Sequence, residues 1–138
     1  MLGAALTQVV IAAALRAMSF GTLTRAVRGG RPIFQWLLRG SETRVVWAIT
    51  ATGRRLGSFS TCLVRALVGE LALSSPARAL QIRIGVRRNG NGLDGHAWLV
   101  DGERVLLGDP VSDEFVVTAV WEHVGVVNPY NRGRAHPQ

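Results

Sequence analysis

The chain has 138 residues, enough for one domain at roughly 100–200 residues per domain, and long enough to bury a core without disulfide or metal staples. Apolar residues make up 48 % and charged residues 18 %, which excludes a disordered chain. The net charge of +7 comes from 16 basic residues, all arginine, against 9 acidic ones. The arginines are scattered and no nucleic-acid recognition motif accompanies them, so nucleic acid is not expected as a partner. Planar guanidinium groups suit carboxylates, which leaves an acidic peptide or protein open.

In chain order, Leu2, Leu6, Val9, Val10, Ala13 and Ala17 recur at helical spacing and predict a first helix with one apolar face. Its other face offers only Thr7, Gln8 and Arg16, so both sides should be buried, in this chain or against another. The apolar run is short of the roughly 20 residues that span a bilayer, and no positive charge precedes it. Neither a membrane segment nor a secretory signal is therefore expected, and the cytoplasm is the default compartment. Gly29, Gly30 and Pro32 predict a break, followed by a second helix from Ile33 to Arg39. Ser41 caps a third, with Glu42 in its first turn and Val45, Val46 and Ile49 inward, ended by Gly53 and Gly57.

Leu63, Leu67 and Leu71 then mark a helix from Cys62 to Leu71, capped by Ser60 or Thr61. After it, Leu80, Ile82, Ile84 and Val86 alternate with Gln81, Arg83, Gly85 and Arg87 as a half-buried strand. Two Asn-Gly pairs within Arg88 to Gly92 predict a hairpin. A second strand runs from His96 to Val100, turns at Asp101-Gly102, and returns as Glu103 to Leu107 before Gly108-Asp109-Pro110. Helices followed by an antiparallel sheet give an α+β fold. Residues 1–138 form a single domain in this reading: a helical part at 1–57, a core at 58–110 and a C-terminal extension at 111–138 with a flexible tail.

Cys62 is the sole cysteine, which rules out an intramolecular disulfide and a multi-cysteine zinc site; no metal or cofactor is expected. A thiol in the first turn of a helix meets unpaired N–H groups and the positive end of the dipole, which favour the thiolate. A two-residue turn at Asp101-Gly102 would set His96 opposite Leu107 and leave Asp109 one diagonal step from His96, about 7–8 Å between Cα atoms. Asp94 would share that face and competes with Asp109 as the orienting acid, whereas Asp101 sits in the turn. A one-residue bulge would reverse this parity. Cys62, His96 and Asp109 are thus the parts of an activated thiol nucleophile: attacking group, base, and the acid that fixes the imidazole tautomer.

Cys62-Leu63-Val64-Arg65-Ala66-Leu67, Leu80 to Arg87, Gly95-His96-Ala97-Trp98-Leu99-Val100-Asp101-Gly102 and Val105-Leu106-Leu107-Gly108-Asp109 together resemble the lasso peptide leader peptidases. These are small cysteine proteases of the transglutaminase-like superfamily. The resemblance runs from about Arg16 to Pro110; Ser74 to Arg78 lacks a glycine that the family leads one to expect, and residues 111–138 match nothing. It implies a transglutaminase-like or papain-like core with Cys62 as nucleophile, His96 as base and Asp109 as third member. It further implies cleavage of a leader from a ribosomally made precursor peptide, just after a threonine, before an ATP-dependent lasso cyclase closes the ring. Some members carry their own recognition domain, for which the helical residues 1–61 leave no room. A separate leader-recognition protein is therefore implied, with the first helix as a docking surface. The rival readings are an acyltransferase with the same triad and a non-catalytic helical adaptor with a buried cysteine.

Overall fold

The computed structural model describes residues 2–17, 19–57, 60–75, 77–108, 114–122 and 125–127. Among the described residues, four helices, α1 (Leu2–Ala17), α2 (Phe20–Leu37), α3 (Glu42–Leu56) and α4 (Cys62–Leu73), precede five strands. The strands are β1 (Leu80–Asn89), β2 (Gly92–Asp101), β3 (Arg104–Leu107), β4 (Val116–Glu122) and β5 (Gly125–Val127). They form one antiparallel sheet in the order β3-β2-β1-β4-β5. This is the expected α+β fold, with β4 and β5 added from the C-terminal extension, to which no strand was assigned.

The sequence of α4 is apolar nearly all round, and such a helix is stable only when surrounded. It packs against α1, α2 and α3 and lies on the sheet through β2. Gly69 sets the distance: a Cβ there would stand 2.8 Å from a Leu99 methyl and would also strike Leu107. Leu67, Leu71, Leu80, Ile82, Ala97, Leu99, Leu107 and Trp121 form the core between them. Each fully buried leucine or isoleucine here contributes roughly 1.5–3 kcal/mol of transfer free energy. The alternation of β1 delivers Leu80 and Ile82 to this face and Gln81 and Arg83 to the other.

Helix α2 differs from expectation, because it runs unbroken through Gly29, Gly30 and Pro32. Pro32 removes the N–H that would serve the carbonyl four residues earlier, a defect that costs about 3 kcal/mol in an isolated helix. Tertiary bonds to α4 override it. Arg31 reaches Glu70, buried at 3 % exposure, at 3.3 Å, and Gln35 Nε2 donates to the Ser74 carbonyl at 2.9 Å.

Helix α1, expected to be buried on both sides, is buried on one, and that side carries Thr7 and Gln8 rather than the apolar stripe. Leu2, Leu6, Val9 and Val10 point to solvent, while Ala4, Thr7, Gln8, Ile11 and Ala12 are buried. The cause is polar. Gln8 Nε2 donates to the Ile49 carbonyl at 3.0 Å and to Thr52 Oγ1 at 2.5 Å, and Gln8 Oε1 accepts from Ser60 Oγ. A satisfied amide is tolerated in the core as an unsatisfied one is not. Gly53 does not end α3 but lies inside it, where a Cβ would stand 2.8 Å from both Arg65 Cδ and Ser60 Oγ; Gly57, at φ +54°, follows the last turn.

An ion-pair network joins the start of α3 to the β2–β3 turn. Arg104 grips both carboxylate oxygens of Glu42 at 2.6 and 3.0 Å, while Arg78 bonds Glu42 and meets Asp101 at 2.7 and 3.0 Å. The Arg104 hydrogen bonds, opposed by partial burial and aided by Arg78, hold the Glu42 carboxyl below its ordinary range. Among the described residues, no helix is long and apolar enough to cross a membrane.

Candidate active site

Cys62 is the first residue of α4. Thr61 supplies the N-cap, its hydroxyl accepting from the Val64 N–H at 3.3 Å, so the choice between Ser60 and Thr61 falls to Thr61. Ser60 is occupied instead with Gln8. Cys62 is half-buried and packs against the edge of the core. The amide groups of the first turn have no partners within the helix, which makes this a site where negative charge is favoured.

The hairpin of β1 and β2 forms around Gly90-Asn91, with Asn89 opposite Gly92 and positive φ at Gly90. Its register sets Gly85 opposite His96, Ile84 opposite Ala97 and Ile82 opposite Leu99. Gly69 over Leu99, together with the short link from Ser74 to Leu80 beside Asp101, directs α4 along β2. Going back from Gly69 to Cys62 covers about 10 Å of helix. Going back from Leu99 to His96 covers about 10 Å of strand. Cys62 and His96 therefore belong to the same end of the α4–β2 layer.

They do not share a face. Alternation turns Ala97 and Leu99 toward α4, and His96 with Trp98 to the opposite side. There the imidazole stacks on Trp98 (5.9 Å between centroids, 19° between planes) and meets the Phe115 ring at 5.3 Å. No hydrogen bond joins Cys62 to His96 among the described contacts.

The return strand corrects the parity argument. The turn falls at Gly102-Glu103, one residue later than expected, with Asp101 paired to Arg104 and Val100 to Val105. Asp101 stays in the strand because Arg78 holds its carboxylate, and Gly102 takes the positive φ of +61°. A bulge then slips the register so that Leu107 faces Leu99, not His96. Leu107 thereby joins the core, and the alternation that linked Asp109 to His96 is lost. Asp109 itself lies outside the described residues.

Gly108, just before it, has φ +97°, and a Cβ there would stand 2.5 Å from the Trp98 Cβ. The backbone at this point thus lies against Trp98, two residues along β2 from His96. Asp94, the competing acid, is already engaged, accepting from Asn89 Nδ2 at 2.9 Å and lying 3.5 Å from Arg87 Nε. Phe115 was not legible as a site neighbour. It falls in the unassigned C-terminal stretch, and only the pairing of β4 with β1 brings it over Gly85. Among the described residues, no cluster of three or more His, Cys, Asp or Glu could hold a metal ion.

The family model described as the transglutaminase-like superfamily matches residues 4–120 of the chain. Neither a curated protein nor a solved structure matches it.

Proposed function

The chain belongs to the transglutaminase-like superfamily, and from that premise we propose that it is a cysteine peptidase that removes the leader from a ribosomally made lasso precursor peptide. The observation that carries this reading is Cys62 as the first residue of a surrounded helix, at the end of the α4–β2 layer to which His96 belongs. The sequence blocks around Cys62, His96 and Asp109 supply the choice of substrate.

In this reading His96 accepts the thiol proton and Cys62 attacks the carbonyl carbon of the threonine that ends the leader. The tetrahedral intermediate expels the amine of the core peptide, which leaves with the proton held by the imidazolium. Water, deprotonated by the same imidazole, then attacks the thioester and releases the leader as a free acid. Asp109 orients the imidazole and stabilises its cation. Support for Asp109 over Asp94 comes from the approach of Gly108 to Trp98 and from the partners that already hold Asp94.

The exposed stripe of Leu2, Leu6, Val9 and Val10 on α1 supports docking of a separate leader-recognition protein, since monomer surfaces rarely leave such a run of large apolar side chains uncovered. The lasso cyclase acts next on the product, in the cytoplasm.

The test is to incubate the chain with precursor peptide and recognition protein and to weigh the products. Leader acid and free core peptide support the reading. An amide of the leader with an added amine assigns the same groups to acyl transfer instead. An intact precursor with Cys62 resistant to alkylation at neutral pH points to a non-catalytic adaptor.

A further inference from the structure

We propose that the sheet surface beyond the start of α4, formed by Val86, Leu93 and Val116 with Arg88 beside them, is the subsite that selects the leader. It takes an aliphatic side chain about three residues before the scissile bond, next to an acidic one. The proposal rests on the reading of Cys62 as nucleophile and adds the groups that choose its substrate.

The surface exists because the sheet is longer than the helix that covers it. Strands β1 and β2 have ten residues each, about 33 Å, whereas α4 has 12, about 18 Å. Their shared end lies where Ser74 leads into Leu80, opposite Asp101. The surplus of about 15 Å therefore falls past Cys62, toward the hairpin.

Alternation decides which side chains stand there. Ile84, opposite Ala97, still packs on the core. Two further rows follow on the same face: Val86 between Gly95 of β2 and Val116 of β4, then Arg88 opposite Leu93. Leu93 is 71 % and Val116 62 % exposed, and a Cβ at Gly95 would meet nothing within 4 Å. The result is an open apolar shelf with a bare floor. With Gly69 set over Leu99, Leu93 stands about 10 Å past the level of Cys62.

Position and charge identify the occupant. An extended peptide advances about 3.3 Å per residue, so a chain whose scissile carbonyl is at Cys62 sets its third residue over Leu93. Contacts on the acyl side of that bond last through acylation and hydrolysis, whereas contacts on the leaving side end with the first step. A shelf that serves both steps therefore holds the leader. Arg88, which has no ion-pair partner among the described residues, suits a carboxylate beside the aliphatic group.

Leu93→Asp and Val116→Asp change exposed positions and should fold. Each should lower kcat/KM for the precursor about 10- to 100-fold, chiefly through KM, the ratio that burial of an aliphatic side chain is worth. Ile33→Asp, at a 69 % exposed site on α2, should not. Wild-type KM in both shelf variants, or an equal loss in Ile33→Asp, overturns the proposal. Binding is read apart from chemistry with Leu93→Cys in the Cys62→Ala background, where the introduced thiol is the sole one. With recognition protein present, precursor should slow alkylation of that thiol, and so should a synthetic leader acid ending at the threonine. Core peptide alone should not. Unslowed alkylation, or slowing by core peptide but not by leader, overturns the proposal. So does full protection by recognition protein without any precursor, which assigns the shelf to that partner. If leader protects the thiol while wild-type protein cleaves no precursor, the shelf still binds the leader and the peptidase reading is the one that fails.

Discussion

Ser60 donates a hydrogen bond to Gln8, 52 residues earlier in the chain, and so ties α1 to the turn two residues before Cys62. Gln8 is fully buried, and its amide nitrogen is shared between the Ile49 carbonyl and Thr52. Replacing it with leucine keeps the volume and takes the acceptor from the buried Ser60 hydroxyl, while Thr52 and the Ile49 carbonyl keep their bond within α3. Leaving buried groups unsatisfied costs about 1–3 kcal/mol. Gln8→Leu should therefore melt several degrees below wild type. Its Cys62 should also be alkylated at a changed rate, since the turn that presents it loses its anchor; an unchanged melting curve would show that water satisfies the freed hydroxyl.

Cys62→Ala and Cys62→Ser should both abolish leader cleavage. The thiol is half-buried at the edge of the core, so either change removes little packing and the melting temperature should stay within a few degrees of wild type. Serine fails because a hydroxyl of far higher pKa gains too little from the helix terminus to ionise. Cleavage by Cys62→Ala near the wild-type rate, measured by mass spectrometry, would remove the nucleophile from the mechanism.

Asp109→Asn should lose far more activity than Asp94→Asn. An amide cannot stabilise an imidazolium and favours the wrong tautomer, an effect of up to about 10⁴-fold in an analogous triad. Asp94 instead serves the hairpin, through Asn89 and Arg87. Its loss should act on stability more than on kcat. The opposite ranking in precursor cleavage would make Asp94 the orienting acid.

Gly108→Ala tests the approach of the chain to Trp98 directly. It combines a φ of +97° with a Cβ that would stand 2.5 Å from Trp98. Backbone strain of this kind costs of order 1–3 kcal/mol before the clash is counted. Loss of activity and of melting temperature should both exceed those of Gly90→Ala, where a Cβ meets open space at a comparable positive φ.

Acid should weaken the link between α3 and the β2–β3 turn. The Glu42 carboxyl is held below its ordinary value of 4.5, chiefly by Arg104. A carboxyl lowered on folding contributes stability that is complete above its unfolded-state value and is lost as pH falls through the folded-state one. The difference in melting temperature between wild type and Glu42→Gln should therefore be constant near neutrality and shrink below about pH 4.5. A difference that grows toward acid would contradict the network.

What the sequence made legible was what local chemistry decides. The Leu80–Val86 alternation, the Asn-Gly hairpin and the cap ahead of Cys62 each follow from a period or a turn residue, and each is found in place. What it hid depends on distant partners. Pro32 reads as a break until Arg31 and Gln35 are seen gripping α4. The apolar stripe of α1 reads as buried until Gln8 is seen to find Thr52 and Ser60, and a hydrophobic count has no way to credit a satisfied amide. Near the candidate site, the helix that begins at Cys62 and the strand that holds His96 were legible from cap and period. The bulge that turns Leu107 into the core was not, because only Arg78 holding Asp101 and the packing of Leu107 on Gly69 select it.

The exposed stripe of α1 sharpens the last prediction. Leu6 and Val10 are 58 % and 45 % exposed, so they contribute little to the core of this chain. Changing both to aspartate should leave the melting curve within a few degrees of wild type, as surface substitutions do. If α1 docks the leader-recognition protein, the same change should abolish the acceleration that this protein gives to precursor cleavage. The acceleration itself should come from effective concentration, because a leader held near Cys62 turns a bimolecular encounter into an intramolecular one and needs no further catalytic group. The wild-type chain alone should then cleave slowly, and its rate should rise on titration with the recognition protein and saturate. A component that weakens with salt would report arginines meeting acidic residues of the leader or partner, while the apolar dock should resist salt. Full activity of the isolated chain on the whole precursor, unmoved by added recognition protein, would show that α1 docks nothing needed for cleavage.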